Sequence, residues 1–303
     1  MSRSHPLVLL FLAAFLFVTL PVAAQDESTA FAPRNVILFI PDGFGPSMAT
    51  MARDYRRDYL REGSSLAMDA IETGSVRTFS TSQRVTDSAA GATAFATGVK
   101  SYNGAISVDT TGQPVGTVLE AARRKGMLTG VVTTTRVTHA TPAAFTAHVP
   151  RRAMESEIAE QQLVTRPDII MGGGAQFFLP EDKGGRRTDN RDLIDEADAL
   201  GYTVARSLAD VRSANTIPLL ALLAMDQMAY EVDRDETAEP SLAEMTAKSL
   251  ELLGDHPEGF FLMVEAARID HAAHGNDAAG TLHDVLAFDA ALNVALDFAR
   301  RDG

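Results

Sequence analysis

"NVILFIPDGFG" occupies residues 35–45. After Asn35 the next five residues are all apolar, with no period-two alternation, and they run straight into Pro41, Asp42 and Gly43. A strand written that way is covered on both faces, and such strands belong to parallel sheets flanked by helices. Three more runs have this character: "MLTGVVTT" at 127–134, "DIIM" at 168–171 and "FFLMVE" at 260–265. Longer helical patterns lie around them, at 47–61, 88–97, 115–125, 192–200, 241–253 and 278–300. The alternation predicts an α/β fold, a mostly parallel central sheet with helices on both faces. Gly- and charge-rich stretches at 183–191 and 233–240 are too short for domain linkers, so residues 25–303 are expected to form one domain.

Composition narrows the function further. The chain is 46% hydrophobic and 22% charged, the balance of a globular protein rather than of a disordered chain or a multi-span membrane protein. Forty acidic against 27 basic side chains leave a formal charge of −13. That charge argues against nucleic-acid binding, because phosphate neutralisation needs clustered Lys and Arg. There is no cysteine, which excludes disulfide scaffolds, thiolate metal sites and cysteine nucleophiles. Residues 1–24 carry Arg3, an apolar run and the ending "PVAA", the pattern of a cleaved signal peptide with Gln25 starting the mature chain. Export to the periplasm or the medium is expected, with no stable membrane anchor after cleavage. Without disulfides, an exported chain draws its stability from its core and from bound metal.

In open parallel sheets, ligands sit beyond the carboxyl ends of the strands. The first run delivers Asp42 there, the last delivers Glu265 with Asp270 close behind, and 127–134 leads on to His139 and Thr141. Carboxylates and imidazoles converging on one edge suit a hard-to-borderline cation. Asp270 and His274 stand four apart, on one side of the segment if it is helical. By themselves, Asp87 and Ser88 before an alanine-rich run are an ordinary helix start, and "PDGFG" is a turn. "GGG" at 172–174 lacks the Lys and Ser/Thr of a phosphate-binding loop and reads as a strand exit.

Together these segments resemble the alkaline phosphatase family. "VTDSAAGATAFATGVKSYNGAI" (85–106) resembles its nucleophile segment, and "NVILFIPDGFG" resembles its first metal-bearing strand. "THATPAAFTAHVPRR" (138–152) resembles the segment with the magnesium threonine and the phosphate-binding arginine. "DIIMGGGAQFF" (168–178) and "FFLMVEAARIDHAAHGND" (260–277) resemble two further blocks, in family order. The resemblance implies an alkaline-phosphatase-like three-layer sandwich that hydrolyses phosphate monoesters through a phosphoserine, with two Zn2+ and one Mg2+. It makes Ser88 the nucleophile and a zinc ligand, and Arg152 the clamp on the phosphoryl oxygens. Asp42 bridges that zinc and the magnesium, Thr141 and Glu265 complete the magnesium set, and Asp270 and His274 hold the second zinc. Family members differ at His139 and His271 in ways that bear on third-site metal preference, and an isolated histidine is more often a structural hydrogen-bonding residue than a ligand, so both stay outside the metal set.

The family pattern continues past residue 303 with an Asp-His pair and a later zinc histidine. The resemblance therefore implies a C-terminally truncated chain, each zinc short of three protein ligands, with little phosphatase activity of its own. A catalytically inactive phosphate- or metal-binding protein on the same fold is the alternative reading. Small phosphate esters are the implied substrates and a homodimer the implied assembly.

Overall fold

The computed structural model describes residues 33–302, so the predicted signal peptide lies outside the described residues. Six strands build one sheet: β1 (Val36–Pro41), β2 (Leu128–Arg136), β3 (Ile169–Gly173), β4 (Thr203–Ala205), β5 (Leu219–Leu222) and β6 (Phe260–Ala266). Their order is β1-β6-β2-β3-β5-β4, and every neighbouring pair is parallel. The four apolar runs are β1, β2, β3 and β6. β4 and β5 are additions to the sequence reading. β5 lies within "IPLLALLAM" (217–225), an apolar run that suits a buried strand or a buried helix equally, and β4 has only three residues.

The helices are α1 (Pro46–Tyr55), α2 (Ser88–Thr97), α3 (Val118–Arg124), α4 (Ala140–Thr146), α5 (Glu155–Thr165), α6 (Leu193–Ala199), α7 (Leu208–Ser213), α8 (Leu242–Leu253), α9 (Arg268–His274) and α10 (Ala278–Asp302). The expected helix at 47–61 ends early: α1 stops at Tyr55, a π-helical turn covers Arg56–Leu60, and Arg61 closes it at φ 61°. The helix expected from 115 starts at Val118. Thr117 fixes that start, its hydroxyl accepting the Glu120 N–H while the Glu120 carboxylate accepts the Thr117 N–H.

Both faces of the sheet are covered. In β6, Phe260, Leu262 and Val264 face the layer holding Met245 and Leu250 of α8 and Val285 and Phe288 of α10. Phe261 and Met263 face the layer holding Ala92 of α2, Leu119 of α3 and Phe145 of α4. The side chains still alternate with a period of two, but both sets are apolar, which is why the run reads as continuous. β6 lies between β1 and β2, with Glu265 level with Ile40 on one side and Thr133 on the other. The carboxyl ends of three strands thus stand side by side. The "GGG" triplet closes β3: a Cβ on Gly173 would fall 2.2 Å from the Asp226 carbonyl oxygen, and Gly174 has φ +97°. It is a strand exit with a close backbone approach. Among the described residues no helix is long and apolar enough to cross a membrane.

Candidate active site

Beyond β1 the chain turns at Gly43, whose φ of +68° favours glycine. A Cβ there would fall 2.6 Å from Asp270 Oδ1, so the missing side chain is what lets the Asp42 turn lie against α9. Gly43→Ala is expected to cost about 1–2 kcal/mol of stability through the left-handed backbone. It should also weaken Mg2+ or Zn2+ binding by moving Asp42 and Asp270 apart. Titration calorimetry on the variant checks this, and unchanged affinity would show that the close approach does not matter to the site.

Asp87 caps α2. Its Oδ1 accepts the Ala90 N–H at 2.9 Å, and its Oδ2 accepts the Gly104 N–H at 3.0 Å. Ser88, the first helical residue, donates its hydroxyl to Asp42 Oδ2 at 2.9 Å. Arg152 reaches the same place, anchored by its backbone N–H on the Gly104 carbonyl at 2.7 Å. One arm, Nη1, donates to Asp87 Oδ2 at 3.3 Å, and the other, Nη2, contacts His139 Nε2 at 2.7 Å. Asp87 thus positions Arg152 as well as the helix, a role the sequence reading missed. The available signal was its second carboxylate oxygen, since a cap needs only one.

Glu265 is completely buried. Its Oε2 accepts the Thr133 hydroxyl at 2.6 Å, and its Oε1 has no hydrogen-bond partner. Asp42, His139 and Glu265 offer ligand atoms that all lie within 4.8 Å of one another. Burial pushes the Glu265 carboxyl up to about 8, and the nearby Asp42 charge adds to the shift. Asp42 is raised to about 6 by burial and by Asp270, against the Ser88 hydrogen bond and Arg152. Asp270 is raised by burial, opposed by His274 and Arg152. His139, buried and facing Arg152, is held well below the usual imidazole range. The raised acids and the lowered imidazole share one leading physical cause, burial that disfavours the charged form of each. The donor set of carboxylates, hydroxyls and imidazole fits a divalent cation.

Asp42, Ser88, Thr141, Arg152, Asp270 and His274 line one open cleft of about 1430 Å³, with Glu265 buried beside Asp42. The structure therefore places all seven sequence-predicted site residues in one locality. Asp270 and His274 share α9, with Oδ1 and Nε2 3.5 Å apart, and His274 is largely exposed at the rim. His139, left out of the metal set from sequence, stands in the cluster with Asp42 and Glu265. His271 packs its ring 5.4 Å from that of His139 and is lowered to about 4 by burial and by Arg268.

A sequence model described as alkaline phosphatase matches residues 33–303. The repressible alkaline phosphatase of Saccharomyces cerevisiae is 44% identical over 306 residues, covering 92% of this chain and 54% of the yeast protein. The chain thus spans about half the length of the first curated relatives it matches. The crystal structure of the Thermus thermophilus alkaline phosphatase matches with a TM-score of 0.83 at 40% identity, covering 88% of this chain and 57% of that one. A variant of the alkaline phosphatase from the Antarctic bacterium TAB5, with magnesium bound in its M3 site, matches with a TM-score of 0.78 at 33% identity. It covers 89% of this chain and 75% of that one.

Proposed function

The chain belongs to the alkaline phosphatase family, and from that premise we propose that it hydrolyses phosphate monoesters through a phosphoserine on Ser88, with two zinc ions and one magnesium ion as cofactors. The observation that carries this reading is the Ser88 hydroxyl at the start of α2, 2.9 Å from Asp42 and beside Arg152, next to a buried carboxylate cluster. Asp42, Thr141 and Glu265 would hold the magnesium, Asp42 and Ser88 one zinc, and Asp270 and His274 the other. Magnesium bound in a variant of the related TAB5 enzyme supports magnesium as one of the cofactors. When bound, divalent cations supply Lewis-acid neutralisation of the attacking and leaving oxygens in an in-line displacement.

The chain's own residues do the rest. Asp42 orients Ser88 Oγ by accepting its hydrogen bond, and the α2 N-terminus favours negative charge beside that oxygen. The Ser88 Oγ–P bond forms as the bond from phosphorus to the ester oxygen breaks, the hydroxyl proton leaving Oγ by way of Asp42 and the departing oxygen taking up a proton to leave as the alcohol. Water then hydrolyses the seryl phosphate and regenerates the hydroxyl. Arg152 offers its planar fork to two phosphoryl oxygens, and Asp87 holds that fork in place from behind.

In a full-length parent with zinc and magnesium supplied, nitrophenyl phosphate should be hydrolysed much faster than the corresponding diester, whereas the 303-residue chain should show little turnover. A chelator should stop turnover, and added metal should restore it. Chelator-resistant turnover, or a diester cleaved as fast as the monoester, would refute the reading. Binding of cations and phosphate without ester cleavage would instead favour a non-catalytic binding protein.

A further inference from the structure

Residues 72–87 lead into α2 and end one residue before Ser88, yet they belong to no helix or strand, so no backbone ladder fixes them. Among the described residues, 81–86 make hydrogen bonds beyond residues 80–87 only to Ser101 and Asn103. The Thr81 N–H donates to the Ser101 carbonyl at 2.9 Å. The Asn103 backbone N–H donates to the Ser82 hydroxyl at 3.0 Å, and its Nδ2 donates to the Val85 carbonyl at 3.1 Å. Its Oδ1 accepts the Asp87 N–H at 3.3 Å. We infer that Asn103 is a positioning residue for the nucleophile: its side-chain amide ties down the segment that delivers Ser88 and, with Gly104, sets the spacing of that segment from Arg152. The inference rests on the reading of Ser88 as the nucleophile.

A side-chain amide suits this place because it is donor and acceptor at once. Val85 presents a carbonyl, Asp87 presents an N–H, and one planar group meets both. Asn103 borders the cleft, but the backbone engages both ends of its amide, so it acts through Ser88 rather than on the substrate. Asp87 is the extended residue before the helix, and Ser88 begins the first turn, where helices fray most readily. Holding the Asp87 peptide therefore steadies the one turn that carries the reacting oxygen. Gly104 serves the other partner. Its φ of +88° favours glycine; its N–H donates to Asp87 Oδ2 at 3.0 Å and its carbonyl accepts the Arg152 N–H at 2.7 Å. One two-residue turn thus holds the nucleophile segment on one side and the main chain of Arg152 on the other. A shift of about 1 Å between reacting groups can cost on the order of 10²-fold in rate. Losing the Asn103 side chain leaves the Gly104 carbonyl on Arg152, so phosphoryl transfer suffers more than phosphate binding.

The test is a double-mutant cycle in a full-length parent with zinc and magnesium supplied, read by rapid-quench labelling of Ser88 and by steady-state turnover. Asn103→Ala should slow phosphoryl transfer to Ser88 roughly tenfold or more, with inorganic phosphate affinity changed by less than about twofold. In Ser88→Ala, where water attacks without a placed serine, Asn103→Ala should change the residual turnover by less than about twofold. A readout independent of activity is amide hydrogen exchange on the 303-residue chain, where Asn103→Ala should speed exchange at Asp87 roughly tenfold. Ser82→Ala, an exposed change, loosens the same segment and should slow phosphoryl transfer a few-fold; it carries the test if Asn103→Ala does not fold. Equal losses with and without the Ser88 hydroxyl, or unaltered phosphoryl transfer in the folded variant, would overturn this inference and leave the proposed function standing. An unsubstituted parent that never carries phosphate on Ser88 would overturn both.

Discussion

In a full-length parent, Ser88→Ala is expected to abolish covalent phosphorylation and to lower monoester turnover by roughly 10³-fold or more. The expected loss is large because the hydroxyl is the only part of Ser88 that the proposed chemistry uses, and no neighbouring side chain duplicates its position at the α2 start. Structure should survive. Asp87, not Ser88, accepts the Ala90 N–H that caps the helix, and alanine is at home in a first helical turn. The hydrogen bond to Asp42 is lost, which costs about 1 kcal/mol. Residual hydrolysis need not vanish, since bound cations and Arg152 can still favour attack by water. The check is labelling with radioactive phosphate, acid quenching and peptide mapping. Label found on any residue other than Ser88 would refute the assignment.

The cation-free protein should lose stability as the pH rises from about 6.5 to about 8. Glu265 is raised to about 8 and Asp284, buried on α10, to about 7, each chiefly by burial. A carboxyl whose pKa is higher folded than unfolded keeps its proton longer in the native state. Unfolding at these pH values therefore releases protons, and rising pH favours the unfolded chain. Below about 6.5 the effect is opposed by His139 and His271, lowered in the fold, which favour unfolding as the pH falls. Above that value the acids increasingly dominate, and the expected net loss between pH 6.5 and 8 is on the order of 2 kcal/mol. Thermal melts in chelator measure it. Saturating divalent cation should reverse the part due to Glu265, because a ligand bound only by the native state stabilises it. Asp284 accepts the Glu231 N–H away from the cluster, so Asp284→Asn should flatten the pH dependence without removing the cation rescue. A cation-free protein as stable at pH 8 as at pH 6.5 would contradict the account.

What the sequence disclosed follows from where information is local. β1, β2, β3 and β6 were legible because strands covered on both faces must be apolar throughout. α4 was not. All seven of its residues are buried and Pro142 stands third, so it has neither an amphipathic stripe nor a familiar helix composition. Asp42 and Glu265 could be read as strand-end acids without knowing their partners. Ser88 and Arg152 could be singled out only through the family resemblance, because what distinguishes them lies 46 and 65 residues away, at Asp42 and Asp87. His139 escaped for the same reason. An isolated histidine carries no mark of function, and its buried Nδ1, its Arg152 contact and its carboxylate neighbours exist only in the folded chain.

The place of β6 bears on when the site comes into being. During synthesis the chain emerges from its amino end, so β1, β2 and β3 are all available long before residue 260. The native position of β6 is between β1 and β2, so those two strands are held apart by a partner not yet made. Until Glu265 slots into that gap, Asp42 and Thr133 have no shared neighbour, and Asp270 and His274 do not exist. A nascent chain can therefore gain much of its helical structure without gaining the metal cluster. Under the proposed function, loading waits for that insertion, and whichever compartment hosts it sets the metal supply from which the site is filled.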